Sequence, residues 1–206
     1  MLEKMQSVVD FDVVFDGQRV FRALLHAMAN PGQLGDITAE AAHFDGDGRA
    51  LLALGCTLLD NEETMYIEKN RALAEALHSL TLCHEGTLEA ADFIFLSSEM
   101  NLGSLEQVMT RCKRGTYADP QDSATLLIFA VNIEGETPLA LSGPGVDGER
   151  VLSASVYVRD VLSLRARLDF EYPLGVDLIF CDSKGTLLAV PRLVKVSEKE
   201  DEAWRM

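Results

Sequence analysis

The sequence predicts an α/β protein built as a three-layer sandwich, with a mixed β-sheet flanked by helices. Two observations lead to this prediction. Apolar residues recur three and four positions apart in several segments, which is the spacing of one helix face. Between these segments lie short runs that are apolar throughout and rich in Ile, Val and Phe, which is typical of strands buried on both faces.

The helical stripes predict helices in four parts of the chain. Pro31 and Gly32 are expected to end the first helix, and Asp47 is expected to cap the second. In the last helix, Arg165 and Arg167 are expected to face water. The four stripes consist of Val20, Phe21, Leu24, Leu25 and Met28; Leu51, Leu54, Gly55 and Leu58; Leu73, Ala76, Leu77 and Leu80; and Tyr157, Val161, Leu164 and Leu168.

The apolar runs predict the strands. Turn residues at positions 182–185 predict a hairpin near the C-terminus. Because strands outnumber helices there, we expect a mixed sheet rather than a purely parallel one. The central strands are expected at 93–96, 126–131 and 176–180, and weaker ones at 64–67, 139–141, 187–190 and 193–196.

Composition limits the class of protein. The 206 residues suit a single domain over positions 1–206, with a charged tail at 197–206. Lys plus Arg number 18 against 33 Asp plus Glu, a net charge of −15 that disfavours nucleic acid and anionic lipid as partners. We expect no membrane span and no secretion signal, and the four scattered cysteines favour reduced thiols in a cytoplasmic protein.

The motif search predicts no catalytic, metal-binding or cofactor-binding residues. The glycines from Gly143 through Gly145 to Gly148 fit the letters of a dinucleotide-binding turn, but Pro144 removes one backbone N–H. A structural loop is therefore favoured, with a nucleotide-binding turn as the alternative. The histidines show no zinc-type spacing.

Several polar residues are candidates for a ligand site or an interface. The acidic stretch from Asp60 to Thr64 could form a site, although a solvated loop is the more common role of such a stretch. Asp177 interrupts an apolar strand and needs a partner, for which Arg192 is the candidate, and a structural ion pair is favoured over catalysis. The basic residues at 111–114 fit a helix C-terminus better than an anion site.

Six stretches, kept in order and spacing from about residue 15 to residue 196, together resemble one family. They lie at 21–32, 58–64, 125–128, 139–146, 172–180 and 188–192, and include Ala29-Asn-Pro-Gly32 and Ser142-Gly-Pro-Gly145. The family is PhnH, the H subunit of the bacterial carbon–phosphorus lyase core complex.

The resemblance implies a non-catalytic subunit that forms a homodimer and assembles with the G, I and J subunits. With the G, I and L subunits, the machinery would form alpha-D-ribose 1-methylphosphonate 5-triphosphate from ATP and methylphosphonate, and the J subunit would then cleave the carbon–phosphorus bond. The implied fold is similar to the large domain of pyridoxal-phosphate-dependent transferases, without that cofactor.

Two other functions stay open from the residues. One is an anion-binding module in which Arg22, Arg192 or the basic residues at 111–114 hold a phosphonate or a nucleotide. The other is a stand-alone nucleotide-dependent enzyme that uses the glycine turn at 143–148.

For the homodimer, we expect the acidic residues to crowd around 60–63 and 198–202. This would leave the glycine turn and the strands beside it as a charge-poor pairing face. Val146→Glu is expected to break the dimer while the fold survives.

Overall fold

The computed structural model describes residues 10–168 and 170–198. The helices are α1 (Phe15–Ala29), α2 (Thr38–Ala41), α3 (Arg49–Leu58), α4 (Arg71–Thr81), α5 (Leu102–Arg111) and α6 (Val156–Arg167). The strands are β1 (Leu34–Asp36), β2 (Thr64–Ile67), β3 (His84–Glu85), β4 (Phe93–Leu96), β5 (Thr125–Phe129), β6 (Glu134–Ser142), β7 (Arg150–Ala154), β8 (Asp177–Cys181), β9 (Thr186–Val190) and β10 (Lys195–Glu198). Most of the charged tail lies outside the described residues.

The main sheet has seven strands in the order β1-β9-β8-β5-β4-β2-β3. Strands β3, β2, β4, β5 and β8 run parallel, whereas β9 and β1 join antiparallel, so the prediction of a mixed sheet is confirmed. The predicted hairpin joins β8 to β9, and the Asp182 carboxylate closes its turn by accepting from the backbone N–H of Lys184, Gly185 and Thr186.

Two apolar cores lie on opposite faces of this sheet. Along β5, Leu126 and Ile128 belong to one core and Leu127 to the other, which explains why the central runs are apolar throughout. Helices α1, α3 and α4 cover one face, and α5 and α6 contribute to the core on the other. The predicted arrangement of a sheet between helices is therefore confirmed.

The strands predicted at 139–141 and 193–196 do not join the main sheet. They contribute to β6 and β10 of a second, antiparallel sheet with the order β10-β6-β7, which packs on the same face as α6. Alternate residues explain this position, because Leu139 and Leu141 enter the core while the intervening side chains point away from it. The third layer is thus made partly of sheet.

Two expectations about the helices are wrong. The N-cap of α3 is Gly48 and not Asp47, because the first helical hydrogen bond runs from the Leu52 N–H to the Gly48 carbonyl (3.0 Å) and no side chain caps this end. Arg165 does not face water: it is 6% exposed, since its guanidinium lies against the carbonyls of the segment that follows β9. Arg167 is exposed, as expected.

Candidate functional site

The sequence candidates Thr64, Asp177 and Arg192 lie along one edge of the main sheet, where the parallel strands begin. Thr64 is the first residue of β2 and Asp177 the first of β8. Asp92 precedes β4 directly, and Ser123 lies just before β5. We call the polar residues at this edge the amino-edge network. They are Thr64, Asp92, Lys113, Asp122, Ser123, Asp177 and Arg192.

Asp92 is the centre of the first half of the network. One of its carboxylate oxygens accepts from the Thr64 backbone N–H at 2.9 Å and from the Thr64 hydroxyl. Its other oxygen accepts from the ammonium of Lys113, which also donates to Asp122 at 2.8 Å. Burial alone would raise the pKa of Asp92, but the hydrogen bonds from Lys113 and Thr64 outweigh it, so this pKa is lowered.

Asp177 and Arg192 form the second half. The backbone N–H of Arg192 donates to one carboxylate oxygen of Asp177 at 2.7 Å, and the guanidinium lies 3.9 Å from the other oxygen. The same guanidinium donates to the Ser123 hydroxyl. Both charged side chains are mostly buried, at 19% and 17% exposed. This is the geometry of a structural ion pair that ties β8 to the segment after β9.

The acidic stretch contributes only its last residue to this network. Asp60 and Glu62 are exposed, and the Asp60 carboxylate accepts from the Glu62 backbone N–H at 2.7 Å. Burial and repulsion from Asp92 and Asp60 raise the pKa of the half-buried Glu63. Among the described residues, no three His, Cys, Asp or Glu side chains converge in a way that could hold a metal ion. The geometry favours a solvated loop at Asp60.

The glycine turn lies elsewhere, between the antiparallel strands β6 and β7. A dinucleotide-binding turn needs a strand before it and a helix after it, so the hairpin position argues against that alternative. The backbone at Gly145 has φ +82°, and a Cβ there would lie 2.7 Å from the Ala29 carbonyl oxygen. Glycine is therefore required for the turn to pack against the end of α1.

This contact brings two of the family-like stretches together. The guanidinium of Arg150 donates to the carbonyls of Asn30 (3.2 Å) and Pro31 (2.9 Å), which follow α1. At Gly143, a Cβ would lie 3.0 Å from the Leu193 carbonyl oxygen, so this glycine lets the turn approach the segment before β10. Gly143 and Gly145 thus have an intramolecular packing role.

The remaining basic candidates differ in their partners. Arg22 is exposed on α1, away from the amino-edge network. Arg111 forms an exposed ion pair with Glu89. Arg114 instead lies over the ring of Phe170, with its guanidinium carbon 5.7 Å from the ring centroid.

The sequence analysis missed Asp92 and Arg165. Asp92 stands directly before a fully apolar run, much as Asp177 stands near the start of another, so its position was a usable signal. Arg165 gave no such signal, because its position in the sequence of α6 does not show which backbone carbonyls lie near it in the fold. Burial lowers the pKa of Arg165 to about 10.

The mixed sheet and the amino-edge network define an α/β protein in which charged residues at the strand ends link neighbouring strands. The model of the family described as bacterial phosphonate metabolism protein (PhnH) matches residues 10–197, and the chain belongs to this family. The resemblance found in the sequence is thereby confirmed.

Two curated relatives cover most of the chain. One, from Rhizobium meliloti (strain 1021), is named alpha-D-ribose 1-methylphosphonate 5-triphosphate synthase subunit PhnH; it is 27% identical over 91% of this chain and 94% of its own length. The other, from Stutzerimonas stutzeri, is provisionally named C-P lyase subunit protein HtxG; it is 29% identical over 88% of this chain and 86% of its own length.

Proposed function

We propose that this chain is a non-catalytic subunit of a carbon–phosphorus lyase core complex. The observation that carries the proposal is the family match over residues 10–197, together with two relatives named as subunits of such machinery. The amino-edge network supports it, because Lys113 donates to Asp92, and both Asp92 and Asp177 accept from backbone N–H groups. Such satisfied groups hold strands together and leave little capacity for acid–base chemistry.

The partners in this proposal are the G, I and J subunits. The complex would form alpha-D-ribose 1-methylphosphonate 5-triphosphate from ATP and methylphosphonate together with the L subunit, and the J subunit would cleave the carbon–phosphorus bond. A cytoplasmic location is also part of the proposal, supported by four free, buried cysteines. None of the helices in the described ranges has the length and apolar character that crossing a membrane requires.

Growth on a phosphonate tests this role. A strain that lacks the gene should not grow with methylphosphonate as its phosphorus source, but should grow on inorganic phosphate. The wild-type gene should restore growth, and so should the Asp60→Asn variant, because Asp60 is exposed and outside the network. Unimpaired growth of the deletion strain on methylphosphonate would contradict the proposal.

A homodimer and a likeness to the large domain of pyridoxal-phosphate-dependent transferases are the finer parts of this proposal. The mixed seven-stranded sheet with helices on its faces supports the likeness. For the dimer we propose the outer face of the second sheet, which is the side turned away from the core. Its exposed and half-buried residues are Pro138, Ser142, Val151, Ser153, Lys195 and Ser197.

Charge supports this choice of face. Lys195 is the one charged residue among these six, on a protein whose net charge is −15, and the exposed Glu136 lies at the edge of the face, two residues before Pro138 on β6. Glu198 belongs to the same sheet but opposes Leu139, so it lies on the other side. The expected crowding of acidic residues around 60–63 and 198–202 stays a prediction, because Glu198 is the only described residue of the second range. Residues 199–202 lie outside the described residues.

Sedimentation can test the proposed face. Val151→Glu places a charge on a side chain that is 46% exposed and should turn the dimer into a monomer without unfolding it. Leu80→Glu, at a 54% exposed position on α4, is the matched control and should stay dimeric. Val146→Glu is less suitable, because Val146 packs against the core. A dimeric Val151→Glu variant would show that the interface lies elsewhere.

A further inference from the structure

Two surface cavities differ in whether their cationic side chains already have carboxylate partners. The first, about 350 Å³, lies beside the carboxyl end of β2 and is lined in part by Lys69 and Arg71. Lys69 pairs with Glu68 at 3.2 Å, and Arg71 pairs with Glu75 at 2.9 Å and Glu85 at 3.1 Å. Both cations of this cavity are thus neutralised by neighbouring carboxylates.

The second cavity, about 450 Å³, opens beside the amino-edge network. It lies between the segment that follows α5 and the segment that follows α6, and its lining includes Arg114 and Thr116 from the first and Phe170 from the second. Its volume falls in the range of ordinary small-molecule sites, about 300 to 1,000 Å³.

The carboxylates in this lining have partners other than Arg114. Asp122 accepts from Lys113 at 2.8 Å, and Glu171 accepts a hydrogen bond from the Tyr117 hydroxyl, which raises the pKa of that tyrosine. Lys113 is shared between Asp122 and Asp92. Within residues 10–168 and 170–198, no carboxylate lies at ion-pair distance from Arg114. Among the described residues of the lining, Arg114 is therefore the cation without a carboxylate partner.

Apolar groups form part of the wall, beside the polar side chains of Lys113, Thr116, Asp122 and Glu171. Leu168, Phe170 and Leu174 line the cavity, together with the buried thiol of Cys112. The Phe170 ring also lies against the Arg114 guanidinium and so restricts the directions in which this side chain can point. A guanidinium held beside apolar side chains is suited to an oxyanion that carries an apolar body.

We propose that this cavity binds a small organic oxyanion of the phosphonate or phosphate-ester class, with the oxyanion on Arg114 and the apolar body against Phe170 and Leu174. Thr116 lines the same cavity, and its hydroxyl accepts from the Asp119 backbone N–H at 2.9 Å, which leaves its proton for a further hydrogen bond. This site goes beyond the subunit role and does not depend on it, because binding would be a property of the isolated chain.

Calorimetry with phenylphosphonate on the full-length chain tests the site, with thermal unfolding as a second readout. Wild-type protein should bind the ligand and gain thermal stability in its presence. Arg114→Ala should weaken binding at least about tenfold, the effect of losing one charge-assisted interaction. Arg111→Ala is the matched control, since Arg111 ends α5 three residues before Arg114, pairs with Glu89 and does not line the cavity. It should bind like wild type.

Three results would overturn the proposal. They are an absence of binding to wild-type protein at millimolar phenylphosphonate, equal binding by wild type and Arg114→Ala, and inorganic phosphate bound as tightly as phenylphosphonate. The last result would show that the apolar side chains of the cavity do not contribute to binding. If the deletion strain grows on methylphosphonate while the purified chain still binds phenylphosphonate, only the subunit role is contradicted. If the deletion strain fails to grow but the purified chain does not bind, only this site is contradicted.

Discussion

Arg165 is a charged side chain almost fully enclosed by the fold. Its guanidinium donates to the carbonyls of Val190 (2.8 Å), Pro191 (3.1 Å) and Val194 (2.7 Å), which belong to the end of β9 and the segment before β10. No carboxylate is among these hydrogen-bond partners, although the Asp177 carboxylate stabilises the charge of Arg165 from a greater distance. The arginine thereby fastens α6 to the connection between the two sheets.

Arg165→Met should lower the free energy of unfolding by about 3 kcal/mol or more, because three buried carbonyls lose a charged donor. Arg167→Met, two residues further along α6 and exposed, should change the free energy of unfolding by less than about 0.5 kcal/mol. Urea denaturation of both variants measures the difference. Equal stability of the two variants would mean that the carbonyls find other partners.

The cysteines predict how stability depends on alkaline pH. Burial raises the pKa of Cys56 and Cys112 from 9.0 to about 11. Between these values the folded state keeps protons that the unfolded chain releases, so stability is complete below pH 9.0 and falls as pH rises through this range.

The free energy of unfolding, measured in urea at about pH 8 and about pH 10, should therefore decrease. Tyr66 and Tyr157 also have raised pKa values and add to the decrease. A Cys56→Ala/Cys112→Ala double variant isolates the thiols, because its decrease should be smaller than that of wild type. An identical pH dependence would show that these thiols ionise normally in the folded protein.

At the scale of elements, the contact between the glycine turn and the end of α1 couples the second sheet to the first helix. Gly145 and Gly148 both have positive φ, +82° and +67°, but only Gly145 is crowded. A Cβ at Gly145 meets the Ala29 carbonyl oxygen at 2.7 Å, whereas a Cβ at Gly148 meets nothing within 4 Å.

Gly148→Ala should cost about 1 to 2 kcal/mol, the penalty of a left-handed backbone conformation. Gly145→Ala should cost at least about 1 kcal/mol more, because overpacking is added to the same backbone penalty. Chemical denaturation of the pair separates the two effects. Equal losses would mean that α1 can move away from the turn without cost.

The elements that sequence reasoning located well are those whose pattern is local. The apolar run at β4 and the turn at Asp182 carry their own signals and were placed correctly. The second sheet was not foreseen, since residues 139–141 and 193–196 look alike whichever sheet they join. The predictions for Arg165 and Asp47 were wrong for a related reason. The burial of Arg165 depends on carbonyls far away in the sequence, and the N-cap of α3 is one residue further on than Asp47. Thr64 and Asp177 were singled out separately, and only the sheet order brings them to one edge.

At the scale of the whole molecule, the surface combines a large negative charge with local apolar areas. Phe21 and Leu25, part of the first predicted helical stripe, are 49% and 56% exposed on α1, because Val20 and Leu24 are the stripe residues that face the core. Arg22 is exposed between them in the sequence, and Lys195 lies on the outer face of the second sheet, so both surfaces carry few charges. We propose the α1 surface for docking another subunit, since the outer face of the second sheet is the proposed dimer face.

A Phe21→Glu/Leu25→Glu variant should therefore remain dimeric in sedimentation but bind the other subunits at least about tenfold more weakly, because a charge must then be desolvated at the contact. Binding can be measured by titration against a complex that lacks this chain. Unchanged binding would show that the docking surface does not include Phe21 and Leu25 of α1.

Affinity purification of the tagged chain from cells grown on methylphosphonate tests the central claim, membership of the carbon–phosphorus lyase core complex, most directly. The G, I and J subunits should be recovered with it in a constant ratio across a size-exclusion peak. Recovery of the chain without these subunits, while they assemble with one another in the same cells, would contradict the account.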